Sequence, residues 1–87
     1  MTVETIRAKV AEVQNLLDSN GIFADVYSSH GTIQVEISWG DWKHEHLRAD
    51  WLIANNIGGL LFRNEKVTEE DGSDCYSSVH NYLVIDN

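Results

Sequence analysis

Residues 32–39 read TIQVEISW. Apolar and polar side chains alternate without a break. Ile33, Val35, Ile37 and Trp39 fall on one side, and Thr32, Gln34, Glu36 and Ser38 on the other. A period of two belongs to a β-strand, whose successive Cβ atoms point to opposite faces of the pleat. One apolar row and one polar row mean one buried face and one wet face, the signature of an antiparallel sheet covered on one side. This stretch decides the fold class, because its apolar row needs a second layer to bury it.

The neighbouring segments supply that layer. Residues 22–28 (IFADVYS) are rich in β-formers, and the link Ser29-His30-Gly31 is short enough to make a hairpin with residues 32–39. Before it, Val3, Ile6, Val10, Val13 and Leu17 recur every three or four residues, which predicts a helix over 3–20. Thr2 suits its N-cap, Glu4 the positive end of its dipole, and Asn20-Gly21 its stop. After the alternating strand, Gly40-Asp41 is a break, and Asp41 suits the N-cap of a second helix over 42–56. Leu47, Trp51 and Ala54 share a face of that helix, flanked by Leu52, and Asn55 to Gly59 end it. Residues 60–67 (LLFRNEKV) predict a third strand, Thr68 to Asp74 a turn centred on Asp71-Gly72, and 75–85 (CYSSVHNYLVI) a fourth strand.

The expected fold is therefore α+β, in the order αββαββ: a four-stranded antiparallel sheet with two helices on one face. Moving the last strand to the front gives βαββαβ, the ferredoxin-like order. A circularly permuted ferredoxin-like sheet and a simple meander of hairpins both satisfy the pattern. With 87 residues, no proline, no repeat and no linker, the expectation is a single domain over 1–87.

Fourteen acids against six bases give a net charge of −8. Such a chain is repelled by phosphate backbones, which are bound through Lys and Arg, so direct nucleic-acid binding is not expected. No apolar run is long enough to span a bilayer, and MTVETIRAKV lacks the pattern of a signal peptide. One cysteine makes no internal disulfide. These features together point to a cytoplasmic protein.

Residue types that carry chemistry are present, but their spacing argues against a site. His44 and His46 lie in DWKHEHLRAD; the order is H-E-H, not the H-E-x-x-H of a zinc helix. The helical pairs with ligand spacing are Asp41–Glu45 and His46–Asp50, and neither has a recognisable third ligand. The expectation is thus no metal and no cofactor, with His44 at the edge of the apolar face and His46 in solvent. Cys75 and His80 are five apart, on opposite faces of a strand, so no catalytic pair and no enzyme are expected. Trp39 and Trp51 read as core. Trp42, in the first turn of the second helix, reads as partly exposed and available for binding. Glu65, Glu69, Glu70, Asp71 and Asp74 surround the last hairpin tip with Lys66 as the only base, and they read as a solvated loop or a docking lobe. The ligand ladder of a calcium loop is missing.

The segments GDWKHEHLRADWL (40–52) and EEDGSDCYSSVH (69–80) resemble parts of small proteins carried by bacterial phages and integrated mobile elements. The likeness runs from about Trp39 onward. It implies a context in which short acidic proteins bind a host protein; some anti-CRISPR and anti-restriction proteins offer acids where a target expects DNA phosphates. This chain matches that group in size and charge. Its acids gather at one tip instead of running along a helix, which departs from full DNA mimicry.

The function expected from the sequence is a non-enzymatic protein-binding module. Its concrete form is a mobile-element inhibitor docking on a basic nucleic-acid-handling protein through residues 65–74. The rival class is a structural or regulatory subunit that forms homodimers through the open sheet face or an edge strand.

Overall fold

The computed structural model describes residues 3–38, 41–69 and 76–85. Their order is α1 (Val3–Ser19), β1 (Asp25–Ser29), β2 (Thr32–Ser38), α2 (Trp42–Asn56), β3 (Leu60–Glu69) and β4 (Tyr76–Val84). This is the expected α+β arrangement with a four-stranded antiparallel sheet. The strand order is β1-β2-β4-β3, so β4 separates β2 from β3 and no simple meander forms. Among the described residues, no helix is long and apolar enough to cross a membrane.

β1 begins three residues later than the β-rich run suggests, because the end of α1 uses its first residues. Gly21 takes a φ of +73°, the Ile22 amide donates to the Leu17 carbonyl at 2.9 Å, and the Gly21 amide donates to Asp18 at 3.2 Å. These two bonds make a Schellman cap, and they bury Ile22 beside Leu17 instead of in the sheet. Gln14 then pins the edge strand to the helix: its amide donates to the Ala24 carbonyl and its oxygen accepts from the Val26 amide. The hairpin link is as tight as the sequence implies. His30 and Gly31 have φ of +50° and +80°, the two left-handed residues of a type I′ turn.

Both helices cover the face of β2 that carries Ile33, Val35 and Ile37. Val13 and Leu17 from α1, Ala49 and Ile53 from α2, Ile22 and Tyr82 complete one buried cluster with those three. Burial of a side chain of this size contributes roughly 1.5–3 kcal/mol. The alternating strand is therefore the floor of the core, as its pattern requires.

The phase of α2 differs from the expectation. Its buried residues are His46, Ala49 and Ile53, while Leu47 and Trp51 are 70% and 65% exposed and Ala54 is also exposed. Trp51 is thus not core, and His46 does not face solvent; His44 lies on the exposed side. The helix has two apolar stripes, and the one with the smaller side chains faces the sheet. The Asp41 side chain makes no capping bond, although its carbonyl accepts from the Glu45 amide at 2.9 Å.

β3 carries a one-residue shift. Phe62 pairs with Tyr82 and Asn64 with Asn81, leaving Arg63 without a partner in the register. Such a bulge reverses the face presented by everything after it. Glu65 consequently stands opposite His80 and turns to the helix-covered side, where regular pairing would have put Asn64.

Candidate functional site

On most half-buried strands the inward row is apolar. On β4 it is Ser78, His80 and Tyr82, each at most 6% exposed. Pairing fixes this: Ser78, His80 and Tyr82 lie opposite Ile37, Val35 and Ile33, the inward residues of β2. Buried polar groups are costly unless hydrogen-bonded, and α2 supplies the partners. His46 and Asp50, one helical turn apart, reach down onto this row.

The contacts form one network. The Nε2–H of His46 donates to the Ser78 carbonyl at 2.9 Å. His80 lies between two carboxylates, its Nδ1 2.9 Å from Asp50 and its Nε2 2.5 Å from Glu65. The Tyr82 hydroxyl also donates to Asp50. The His46 and His80 rings stack with centroids 3.7 Å apart and planes 11° from parallel. Phe62 meets the edges of His80 and Tyr82 and walls the cluster on the β3 side.

The electrostatics of the two histidines diverge. Burial pulls His80 toward the neutral form, but the hydrogen bonds and charges of Asp50 and Glu65 outweigh it, and its pKa is raised. Both ring nitrogens face acceptors, so the bonded form is the imidazolium. His46 moves the other way: burial lowers its pKa, more than the Ser78 carbonyl offsets, and the neighbouring His80 adds to the fall. A neutral ring therefore stacks on a charged one. Because Nε2 of His46 donates, Nδ1 carries the lone pair, and that atom is buried without a hydrogen-bond partner among the described residues. Ser78 Oγ is likewise buried and unpartnered. Burial, then the Asp50 carboxylate, push Tyr82 far above its ordinary pKa, so it remains a donor.

Sequence spacing offers the His46–Asp50 pair no recognisable third ligand, but the fold brings a partner to it from β4. His80 is that partner, with a ligand-type atom from each of His46, Asp50 and His80 within 4.8 Å of the others. The i, i+4 spacing on α2 was the available signal. The contribution of β4 was hidden, because it depends on β4 lying beside β2 and on the shift at Arg63.

The residues expected to bind protein are dispersed. Glu65 is not a free docking charge, since it is held on His80. Trp42 is half-buried against the core, with the Lys43 ammonium 5.4 Å from its ring centre. Glu69 ends β3. Glu70, Asp71 and Asp74 lie outside the described residues, as do Trp39, Cys75 and Thr2. What sequence reasoning missed is the outer side of α2. There Leu47 and Trp51 border a shallow cleft of about 350 Å³ with Asn20, Arg48 and Leu52. Arg48 spans its rim, bonded to Glu45 and to the Asn20 carbonyl.

No protein-family model matches the chain, and neither curated proteins nor solved structures yield a match.

Proposed function

We propose that this chain is a non-enzymatic protein-binding module that seats a partner on the outer face of α2. The observation that carries the reading is the pair Leu47 and Trp51, one turn apart and more than half exposed on a helix whose other face is packed. An exposed tryptophan beside an aliphatic residue and an arginine has the composition of a binding hot spot. The net charge of −8 favours a basic partner, whose encounter is accelerated by opposite potentials. A mobile-element inhibitor of a nucleic-acid-handling protein is the narrower form; the charge of residues 65–74 and the resemblance to phage-borne proteins support it.

The test is affinity capture with the wild-type chain, the Leu47→Ser/Trp51→Ser variant and a charge reversal of Glu69, Glu70, Asp71 and Asp74. The α2 variant should lose a partner that the wild type retains. Loss on charge reversal, with competition by nucleic acid, supports the inhibitor form. A partner retained by both variants overturns the reading.

A second reading, self-association, is favoured by β3. This ten-residue strand lies at the sheet edge and leaves Leu61, Phe62 and Val67 more than two-fifths exposed. Exposed apolar edges are templates for strand addition. Sedimentation showing dimers that Leu61→Lys dissociates would support it, and a monomer at high concentration would exclude it.

A further inference from the structure

We propose that His46, Asp50 and His80 form a binding site for a divalent transition ion of the zinc type, buttressed by Glu65. The inference is independent of the protein-binding reading. It rests on how the outer nitrogens of the two histidines are tied.

Metal-ligating imidazoles almost always donate their non-ligating N–H to a carbonyl or carboxylate, which fixes the tautomer and aims the other nitrogen at the ion. Both histidines have such a tether. Nε2 of His46 donates to the Ser78 carbonyl, and Nε2 of His80 faces Glu65. Each tether leaves Nδ1 for a ligand. At His46 that nitrogen is buried, carries the lone pair and has no hydrogen-bond partner among the described residues. The side chain itself is only 2% exposed. A buried lone pair without a donor is an unmet cost in a metal-free core, and a cation removes it.

At His80, Nδ1 lies 2.9 Å from Asp50 Oδ2 with a proton between them. Ligands of a tetrahedral zinc ion stand about 3.3 Å apart, given metal–ligand bonds of about 2.0–2.2 Å. Replacing the proton by the ion therefore opens this gap by only a few tenths of an ångström. The proton leaves to solvent as the ion enters. The cluster then holds two neutral imidazoles and two carboxylates, a charge that suits a dication. Two imidazoles and a carboxylate select zinc, cobalt or nickel over calcium or magnesium, which prefer all-oxygen shells. Access is through the acids, since the Asp50 side chain is 31% exposed and that of Glu65 45%. The rings are stacked within 11° of parallel, whereas two imidazoles that share one ion point their ligating nitrogens toward a common point. Binding turns the imidazoles out of the stack until their Nδ1 atoms converge on the ion.

The experiment uses the full chain stripped with EDTA. Zinc chloride is titrated by calorimetry near neutral pH, and cobalt chloride by visible absorption. The wild type should take up one equivalent and show the ligand-field bands of a low-coordinate cobalt site. His46→Gln, His80→Gln and Asp50→Asn should each weaken uptake at least about tenfold, while His30→Gln/His44→Gln binds as the wild type does. Because the core variants risk misfolding, ¹⁵N spectra of the wild-type imidazoles are recorded alongside. Zinc should perturb Nδ1 of His46 and His80. Absence of equimolar uptake, or perturbation confined to His30 and His44, overturns the proposal.

Discussion

Glu65 stands opposite His80 across β3 and β4, with its carboxylate 2.5 Å from the His80 Nε2, because Arg63 is one residue more than regular pairing requires. A surplus residue on an edge strand thus determines which acid completes a buried network. Deleting Arg63 should remove the bulge and leave Glu65 opposite His80, because Asn64 then follows Phe62 in regular register with Asn81. Arg63→Ala keeps the residue count and should change stability by no more than about 0.5 kcal/mol. Glu65→Ala strips a charged partner from the buried His80 and should cost about 1–2 kcal/mol, more than the deletion does. Urea titrations of the three variants check this, and a deletion as costly as Glu65→Ala would contradict the role given to the bulge.

Asp50 accepts from both His80 and Tyr82. Asp50→Ala strands two buried donors and should destabilise by about 2 kcal/mol, less than for a fully buried pair because the carboxylate is partly exposed. Tyr82→Phe removes one donor and should cost about 1 kcal/mol. The double variant should cost less than the sum of the singles. Strict additivity in a double-mutant cycle would show that the hydroxyl and the carboxylate do not interact.

The two apolar stripes of α2 separate by stability. Trp51→Ser and Leu47→Ser remove exposed side chains and should stay within about 0.5 kcal/mol of the wild type. Ile53→Ala empties a packed core position and should cost about 2–4 kcal/mol. The reverse ranking would restore the helix phase that hydropathy suggests.

Acid should act oppositely on the two histidines of the metal-free chain. Around His80 stand Asp50 and His46 from α2, Glu65 and Phe62 from β3, and Tyr82 on its own strand. Its folded pKa is raised above the ordinary 6.5, so its stabilisation is complete below that value and fades as pH rises through the folded pKa. The folded pKa of His46 is lowered, so its contribution is complete above 6.5 and is lost as pH falls through the folded value. His80→Gln should therefore lose relative stability toward acid, and His46→Gln should gain it. Parallel pH profiles of unfolding free energy for the two variants would contradict the assignment.

Much of this was legible in the chain. TIQVEISW gave β2 and the covered face, His30-Gly31 the hairpin, and the Asp41 and Asn55–Gly59 breaks the exact span of α2. The helix phase was not legible, because hydropathy selects the larger Leu47 and Trp51 while the sheet selects the stripe that can hydrogen-bond. The row Ser78, His80 and Tyr82 has no apolar signal, so nothing local marks it as buried. Nor does any residue type mark Arg63 as the extra one. The i, i+4 pair His46–Asp50 was visible on its own, but its partners His80 and Glu65 come from strand order and register, which are non-local.

The most direct test of the inward-facing cluster is the protonation state of its two histidines, read from long-range ¹H–¹⁵N spectra of the metal-free chain at pH 6.5, the ordinary imidazole value. The expected result is a His80 mostly in the imidazolium form and a His46 mostly neutral, with its proton on Nε2. A His46 that is mostly charged or protonated on Nδ1, or a His80 that is mostly neutral, would contradict the packing of α2 on β4 described above.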